Sequence, residues 1–144
     1  MLWVLVAYKT FMNELSLQSL IELKALGFPQ EPFRVENETI WGGSWYVLAI
    51  PGEEPRRIFI QDMQELKEAL KKDGDTHLYK IPMLEEIIDD CDGQFRELSC
   101  RRIKGPWTAY GPYPVVGEPT DSRIAGHGAN RSEAVKELWK VLQN

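Results

Sequence analysis

The chain contains few of the residues that build metal sites, disulfide scaffolds or catalytic triads. Its 144 residues include two cysteines, Cys91 and Cys100, and two histidines, His77 and His127. Two cysteines are too few for a disulfide-built secreted domain, and none of these residues has the spacing of a structural zinc site. Two histidines outside any catalytic motif argue against a Ser–His or Cys–His triad. We therefore expect no bound metal and no cofactor.

Long apolar runs and a basic leader are also missing. The N-terminal apolar stretch, MLWVLVAY, is far shorter than the ~20 residues of a membrane-spanning helix. No basic residue precedes it and no small-residue cleavage site follows it, so a signal peptide is not expected. We interpret Trp3–Tyr8 as a buried strand, and we expect a cytoplasmic protein with no membrane attachment.

Basic residues are outnumbered by acidic ones. The 17 Lys and Arg residues oppose 22 Asp and Glu residues, which gives a formal net charge of −5. This balance argues against broad, non-specific nucleic-acid binding, which depends on cations that neutralise phosphates, but it is compatible with a local basic patch. The length and an ordinary hydrophobic content of 43% predict one globular domain over residues 1–144.

Apolar periodicity and capping residues predict four helices. The helical segments are NELSLQSLIELKALGFP, DMQELKEALKKDGD, IPMLEEIIDDCDG and NRSEAVKELWKVLQN. Asp62 with Glu65, and Asn130 with Glu133, form cap pairs at the second and fourth of them. In the third, Pro82 is expected at the first helical position.

Short runs of β-branched and aromatic residues predict the strands. A pair of strands flanks Gly42 and Gly43, which are expected to form a hairpin turn or a bulge, and RRIFI, RELSC and WTAYG follow. The element order β-α-β-β-β-α-α-β-β-α predicts an α+β fold, an antiparallel sheet with packed helices. Residues 1–80 and 81–144 each contain a helix, a strand pair and a capped helix. A further hypothesis is therefore two related helix-strand-strand-helix halves.

The C-terminal part carries a resemblance to a known group of proteins. The segments YKIPMLEEIIDDCDGQFREL, WTAYG and AGHGANRSEAVKELWKVL combine a Pro-led acidic helix, a Trp-containing strand and a Gly-x-Gly turn before a last helix. Over residues 79–144 this pattern resembles small phage and prophage proteins with a phage αβα-sandwich unit. Members commonly have Thr or Ser where Ala129 and Asn130 stand here. The resemblance implies a mobile-element origin in a bacterial host, and it supplies no catalytic residues.

The acidic face of the third helix is the strongest charge feature. Five carboxylates fall within eight residues, and we name them the acidic set: Glu85, Glu86, Asp89, Asp90 and Asp92. They are consistent with a solvated helix face, with a docking patch for a basic partner, or with a divalent-metal site. Side chains along one helix mostly diverge, which disfavours the metal, whereas Cys91 falls on the apolar side and is expected to be buried.

Two further segments contain residues that often bind ligands. CRRIKGPW places Arg101, Arg102 and Lys104 beside Trp107, which is the best nucleic-acid candidate in the chain. GHGANRS lacks the lysine and the spacing of a phosphate-binding loop, so it is interpreted as a strand-to-helix turn. His127 is then either exposed to solvent or packed in the turn.

The leading hypothesis is a non-enzymatic accessory protein of phage or prophage type that binds another protein. It would use the acidic set and an aromatic-rich surface, and a host-defence inhibitor is one concrete form. The alternatives are a nucleic-acid-associated accessory protein that uses Arg101, Arg102, Lys104 and Trp107, and a metal-dependent hydrolase built on the 85–92 carboxylates.

Overall fold

The computed structural model describes residues 15–34, 40–100, 106–112 and 123–143, and the predicted strand Trp3–Tyr8 lies outside them. Within the described residues the chain forms four α-helices and two three-stranded antiparallel sheets, which confirms the α+β class. In chain order the elements are α1 Leu17–Ala25, β1 Ser44–Leu48, β2 Arg56–Ile60, α2 Met63–Asp73, β3 Leu78–Ile81, α3 Leu84–Asp89, β4 Glu97–Cys100, β5 Trp107–Tyr110, β6 Ala125–Gly128 and α4 Arg131–Leu142. None of these helices is both long and apolar enough to cross a membrane.

The chain divides into two compact units, and the division differs from the predicted halves. Residues Leu20–Pro82 form one unit, and Met83–Asn144 form the other together with the first 19 residues. The boundary after Pro82 lies close to the predicted one after residue 80. The described residues 15–19, however, belong with the C-terminal unit, and the other boundary falls inside α1, between Ser19 and Leu20.

The Leu20–Pro82 unit is built on the sheet β2-β1-β3, which we name sheet A. Side chains alternate between the two faces of a strand, so every second residue of β1 points to the same side. Tyr46 and Leu48 of β1 lie on the inner face and are almost fully buried. They pack with Ile60, Leu78 and Leu66, the last of which comes from the apolar stripe of α2. One face of sheet A is therefore the core of this unit.

The predicted cap of α2 is confirmed. The Asp62 side chain accepts a hydrogen bond from the Glu65 backbone N–H at 3.0 Å, and the Glu65 carboxylate accepts from the Gln61 N–H at 2.9 Å. Lys71 and Lys72 lie in the last turn, where they complement the helix dipole, and the chain leaves the helix at Gly74. The sequence predicted both ends of this helix.

The C-terminal unit is built on the sheet β4-β5-β6, which we name sheet B, with α4 packed across β5 and β6. Asn130 caps α4 by accepting from the Glu133 N–H at 2.9 Å. The predicted stripe is buried, with Val135, Leu138 and Trp139 at 1% exposure or less. The shorter α3 packs against α4 through Ile87, which is fully buried.

Three local predictions need correction. Of the two alternatives for Gly42 and Gly43, the hairpin turn is not seen, because β1 pairs with β2 and β3, whereas the bulge is compatible with the antiparallel bridge between Arg34 and Trp41. The N–H groups of both glycines donate to the Phe33 carbonyl at 2.9 and 3.1 Å. The strand β3 was not predicted, and α3 begins two residues after Pro82 rather than at it.

The segment AGHG is itself a strand, although it was predicted as a turn. Gly126 and Gly128 of β6 pair with Ala109 and Trp107 of β5, and the turn follows at Ala129 and Asn130. His127 is exposed, which is one of the two alternatives expected, and its Nδ1 lies 3.1 Å from the Thr108 hydroxyl across the strand pair.

Candidate functional site

The acidic set was the first predicted binding surface, and two of its five members have structural partners. Glu86 accepts a hydrogen bond from the Met83 backbone N–H at 3.0 Å, which caps the start of α3. Asp90 Oδ2 accepts from Trp139 Nε1 at 2.7 Å, and Trp139 is 1% exposed. This second bond satisfies an indole N–H on a buried ring and fixes the end of α3 against α4.

The other three carboxylates of the acidic set, Glu85, Asp89 and Asp92, are exposed. Asp92 has a φ of 54°, in the left-handed region, in the turn that ends α3. Partner binding by the acidic set thus remains a prediction, and it depends on these three side chains because Glu86 and Asp90 support the fold.

Cys91 lies beside the acidic set and is buried, as its place on the apolar side of α3 predicted. Burial raises the pKa of its thiol from 9.0 to about 11, and the negative charge of Asp90 contributes a smaller part. The reactive form of cysteine is the thiolate, so this residue is poorly suited to nucleophilic or metal-binding chemistry near neutral pH.

The raised pKa predicts a specific loss of stability in alkali. Below pH 9 the thiol is protonated in both the folded and the unfolded chain, so its contribution to the free energy of unfolding is fully present. Between pH 9 and about 11 only the unfolded thiol ionises, and the free energy of unfolding falls by at most about 1.4 kcal/mol per pH unit. Urea denaturation from pH 7 to 11 should show this fall in the free energy of unfolding for the native chain, and the fall should be smaller by the same amount in Cys91→Ala. Equal slopes for the two proteins would contradict it.

A metal site is not assembled among the described residues. No group of three or more His, Cys, Asp or Glu side chains comes together there in a way that could hold an ion. The carboxylates of α3 diverge along one helix, as expected from its geometry. The hydrolase alternative therefore gains no support from the described residues.

The predicted basic-aromatic segment is only partly described. Arg101, Arg102 and Lys104 lie outside the described residues, so their part of the prediction stays open. Trp107 lies in β5, half-buried, with the Arg131 guanidinium 5.2 Å from its ring centroid. One face of this indole is thus already used by a cation of α4.

The most exposed aromatic surface lies on the outer face of sheet A. Trp45 of the central strand β1 and Phe59 of β2 are direct partners in the strand register, and their ring centroids are 5.3 Å apart. They retain 38% and 44% exposure. We name this outer surface the aromatic face. The strands direct six side chains to this side of the sheet: Trp45, Val47, Arg57, Phe59, Tyr79 and Ile81. Among these six, Trp45 and Phe59 are exposed, Val47 is buried at 7%, and the other three are half-buried.

The local backbone holds Phe59 in place. Gly43 has a φ of 81°, and a Cβ built there would lie 2.5 Å from Phe59 Cζ. Only glycine both adopts this conformation readily and leaves room for the ring. The Phe59 ring therefore lies close to both the Trp45 ring and the backbone of Gly43.

The sequence predicted an aromatic-rich contact surface, but it did not single out Phe59 as part of it. The sequence signal that could have identified Phe59 is the alternation of side chains between the two faces of a strand. In SWYVL and RRIFI the inner positions are occupied by Tyr46, Leu48 and Ile60, which leaves Trp45 and Phe59 on the other face. The two strands had to be paired before the aromatics could be seen as neighbours.

The described residues thus define an α+β protein with a solvent-facing aromatic pair on one sheet and exposed carboxylates on a short helix. No protein-family model matches the chain, and neither a curated protein nor a solved structure matches it.

Proposed function

We propose that the chain is a protein-binding accessory protein and that the aromatic face of sheet A is its principal contact surface. The observation that carries the proposal is the exposure of Trp45 and Phe59, side by side, at 38% and 44%. Exposed aromatic rings are costly to keep in water, and Trp is among the residues that most often dominate the binding energy of protein interfaces.

The close neighbours of Phe59 support a binding role. Its ring lies near Gly43 and Trp45, and these neighbours restrict the rotamers that a partner would otherwise have to fix. Side chains that are ordered before association lose less entropy when the complex forms. The opposite face of the same sheet is packed against α2 in the core, which holds the strands in register.

The exposed carboxylates of α3 are a second contact surface in this proposal. Glu85, Asp89 and Asp92 would attract a basic region of a partner and would mainly affect the rate and specificity of association. The resemblance at residues 79–144 adds the biological setting that we propose, a phage or prophage protein in the cytoplasm of a bacterial host. Inhibition of a host-defence protein is one form of this function.

A capture experiment tests the proposed function. The folded protein is immobilised, exposed to bacterial lysate, and the bound proteins are quantified by mass spectrometry. We expect one or a few host proteins to be enriched, and Trp45→Ser/Phe59→Ser to weaken their binding by about 30-fold or more, because truncation of a hot-spot residue costs about 2 kcal/mol.

Val141→Ser is the matched control for the capture. Val141 is also an exposed apolar residue, at 45%, and it lies on α4 in the other unit. It should leave the capture unchanged. Recovery of the same proteins in equal amounts by the aromatic double variant, or no enrichment by the native chain, would refute the proposal.

A further inference from the structure

An aspartate followed directly by a glycine occurs at two places in the chain, Asp73–Gly74 and Asp92–Gly93. Glycine has no Cβ to shield its backbone nitrogen, so this nitrogen can reach the carboxyl carbon of the preceding side chain. The rate of that approach depends on how freely the local backbone moves. The two pairs lie in contrasting backbone surroundings.

The pair Asp92–Gly93 lies in the turn that ends α3, and Asp92 is exposed. The Asp92 N–H donates to the Asp89 carbonyl at 3.1 Å. The Gln94 N–H donates to the Cys91 carbonyl, also at 3.1 Å. Among the described residues, the Gly93 N–H between them has no acceptor and the Asp92 carboxylate has no partner. Neither of the two groups that would react is therefore held by a hydrogen bond there.

The backbone at Asp92 also favours a change of conformation. Its φ of 54° lies in the left-handed region, which is costly for a residue with a Cβ. Apart from its chain neighbours, no described atom lies within 4 Å of a Cβ built on Gly93. The Gly93 carbonyl accepts a hydrogen bond from the Arg96 guanidinium, but this bond does not involve the Gly93 nitrogen. The peptide group between Asp92 and Gly93 thus meets little resistance to rotation.

The pair Asp73–Gly74 is held at the end of a helix. Asp73 is the last residue of α2 and is half-buried. The Gly74 N–H donates to the Leu70 carbonyl at 2.9 Å, which continues the helical hydrogen-bond pattern by one residue. Attack by this nitrogen requires that the last turn of α2 opens first.

We infer that Asp92 is a site of spontaneous modification, at which aspartate converts to isoaspartate. The Gly93 nitrogen forms a bond to Asp92 Cγ, and the hydroxyl of the protonated carboxyl leaves with the N–H proton as water. The product is a cyclic imide. Water then opens this ring at the former main-chain carbonyl, which gives isoaspartate, or at Cγ, which restores aspartate. The water released is taken up again, so no oxidant, reductant or other reactant is consumed.

The modification changes the end of α3. In isoaspartate the main chain runs through the former side-chain carboxyl and gains a methylene group, and the former main-chain carboxyl becomes the side group. Asp92 is one of the three exposed carboxylates of the acidic set, so its negative charge is kept but its position shifts. The inference goes beyond the proposed function and does not depend on it.

Site-resolved mass spectrometry of the folded full-length protein tests the inference. The protein is incubated at mildly acidic pH, and isoaspartate at each position is identified by electron-transfer fragmentation of the digested chain. We expect Asp92 to convert about tenfold faster than Asp73 or more, which corresponds to an opening cost of about 1.4 kcal/mol for the last turn of α2. In urea-unfolded protein the two positions should convert at similar rates.

Two asparagine variants supply a matched second measurement. Asp92→Asn and Asp73→Asn undergo the same attack with ammonia as the leaving group, and asparagine tolerates a positive φ. In the folded proteins Asp92→Asn should lose ammonia faster than Asp73→Asn by the same factor, and in urea the two rates should converge. Equal rates at the two positions of the folded protein, a faster reaction at Asp73, or no isoaspartate at Asp92 would overturn the inference.

Discussion

Gly126→Ala is expected to destabilise or unfold the C-terminal unit. A Cβ at this position would lie 2.1 Å from the backbone nitrogen of Leu138 and 2.6 Å from the carbonyl oxygen of Ala134. Both atoms belong to the backbone of α4, so no rotamer change relieves the contact. The strand and the helix would have to separate. We expect the free energy of unfolding to fall by roughly 3 kcal/mol or more, the upper end of what an overpacked core usually costs. Urea denaturation followed by circular dichroism measures this loss.

Gly111→Ala is the matched control for this prediction. It introduces the same methyl group in the same unit, but the nearest atom to its Cβ is Leu138 Cδ1 at 3.2 Å. That atom belongs to a side chain and needs to shift by only a few tenths of an ångström, so the loss of stability should be smaller, about 1 kcal/mol. A Gly126→Ala protein as stable as the Gly111→Ala protein would show that α4 does not approach β6 as closely as described.

The same close approach explains why β6 could not be predicted from the sequence. Glycine is depleted in strands because it has no side chain to pack and loses the most backbone entropy, so AGHG predicts a turn. Here the glycines are required by a helix that crosses the strand, at Leu138 and Ala134. This requirement is set by tertiary packing and leaves no local signal in the strand itself.

The strand β3 was missed for a related reason. LYKI is four residues long and contains Lys80, a poor strand former that is 4% exposed. Two groups from a distant part of the chain accept hydrogen bonds from the buried Lys80. The Lys80 N–H donates to Gln30 Oε1 at 2.9 Å, and its ammonium donates to the Glu31 carbonyl. Partners that lie about 50 residues away in the chain cannot be read from a local pattern.

The helices were predicted well because their signals are local. In α2 and α4 the capping side chain lies three residues before its donor, and the buried stripe repeats at the helical period. The acidic set shows what a local sequence pattern cannot predict. A local pattern finds five carboxylates, but the role of Asp90 depends on Trp139, which lies 49 residues further along the chain.

Glu133 is the clearest case of one residue with a local and a distant role. Its backbone N–H donates to the Asn130 cap, as predicted from the sequence. Its carboxylate accepts from the Ser16 N–H at 2.9 Å and from the Ser19 hydroxyl at 2.7 Å, at the start of α1. Lys136 Nζ lies 3.3 Å from the same carboxylate and 3.0 Å from the Ser19 hydroxyl. These four residues, Ser16, Ser19, Glu133 and Lys136, form what we name the Glu133 cluster.

The Glu133 cluster stabilises the fold rather than presenting a nucleophile. Ser19 and Lys136 are adjacent, an arrangement that resembles a Ser–Lys catalytic pair, but they are 2% and 4% exposed. The Ser19 hydroxyl donates to the Glu133 carboxylate and accepts from the ammonium, so both of its bonding roles are used inside the fold. The cluster fixes the first turn of α1 to the first turns of α4.

Glu133→Ala is accordingly expected to lower the free energy of unfolding by about 3 kcal/mol, because it leaves the buried Lys136 ammonium with only the more exposed Glu137 carboxylate as a counter-charge and removes the acceptor of Ser16 and Ser19. The Lys136 side chain is 5% exposed, and the Ser16 N–H would lose its acceptor. Glu137→Ala is the matched control. Glu137 also contacts Lys136, at 3.4 Å, but its side chain is 37% exposed, and its loss should cost less than about 1 kcal/mol.

Adding Lys136→Met to Glu133→Ala separates the buried charge from the lost hydrogen bonds. Methionine keeps most of the volume of the lysine stem and removes its charge, so the double variant should regain more than half of the lost stability. Urea denaturation of all four proteins at pH 7 measures the two effects. If Lys136→Met gives no recovery, the cost of Glu133→Ala comes from the lost hydrogen bonds to Ser16 and Ser19 and not from the unpaired Lys136 charge.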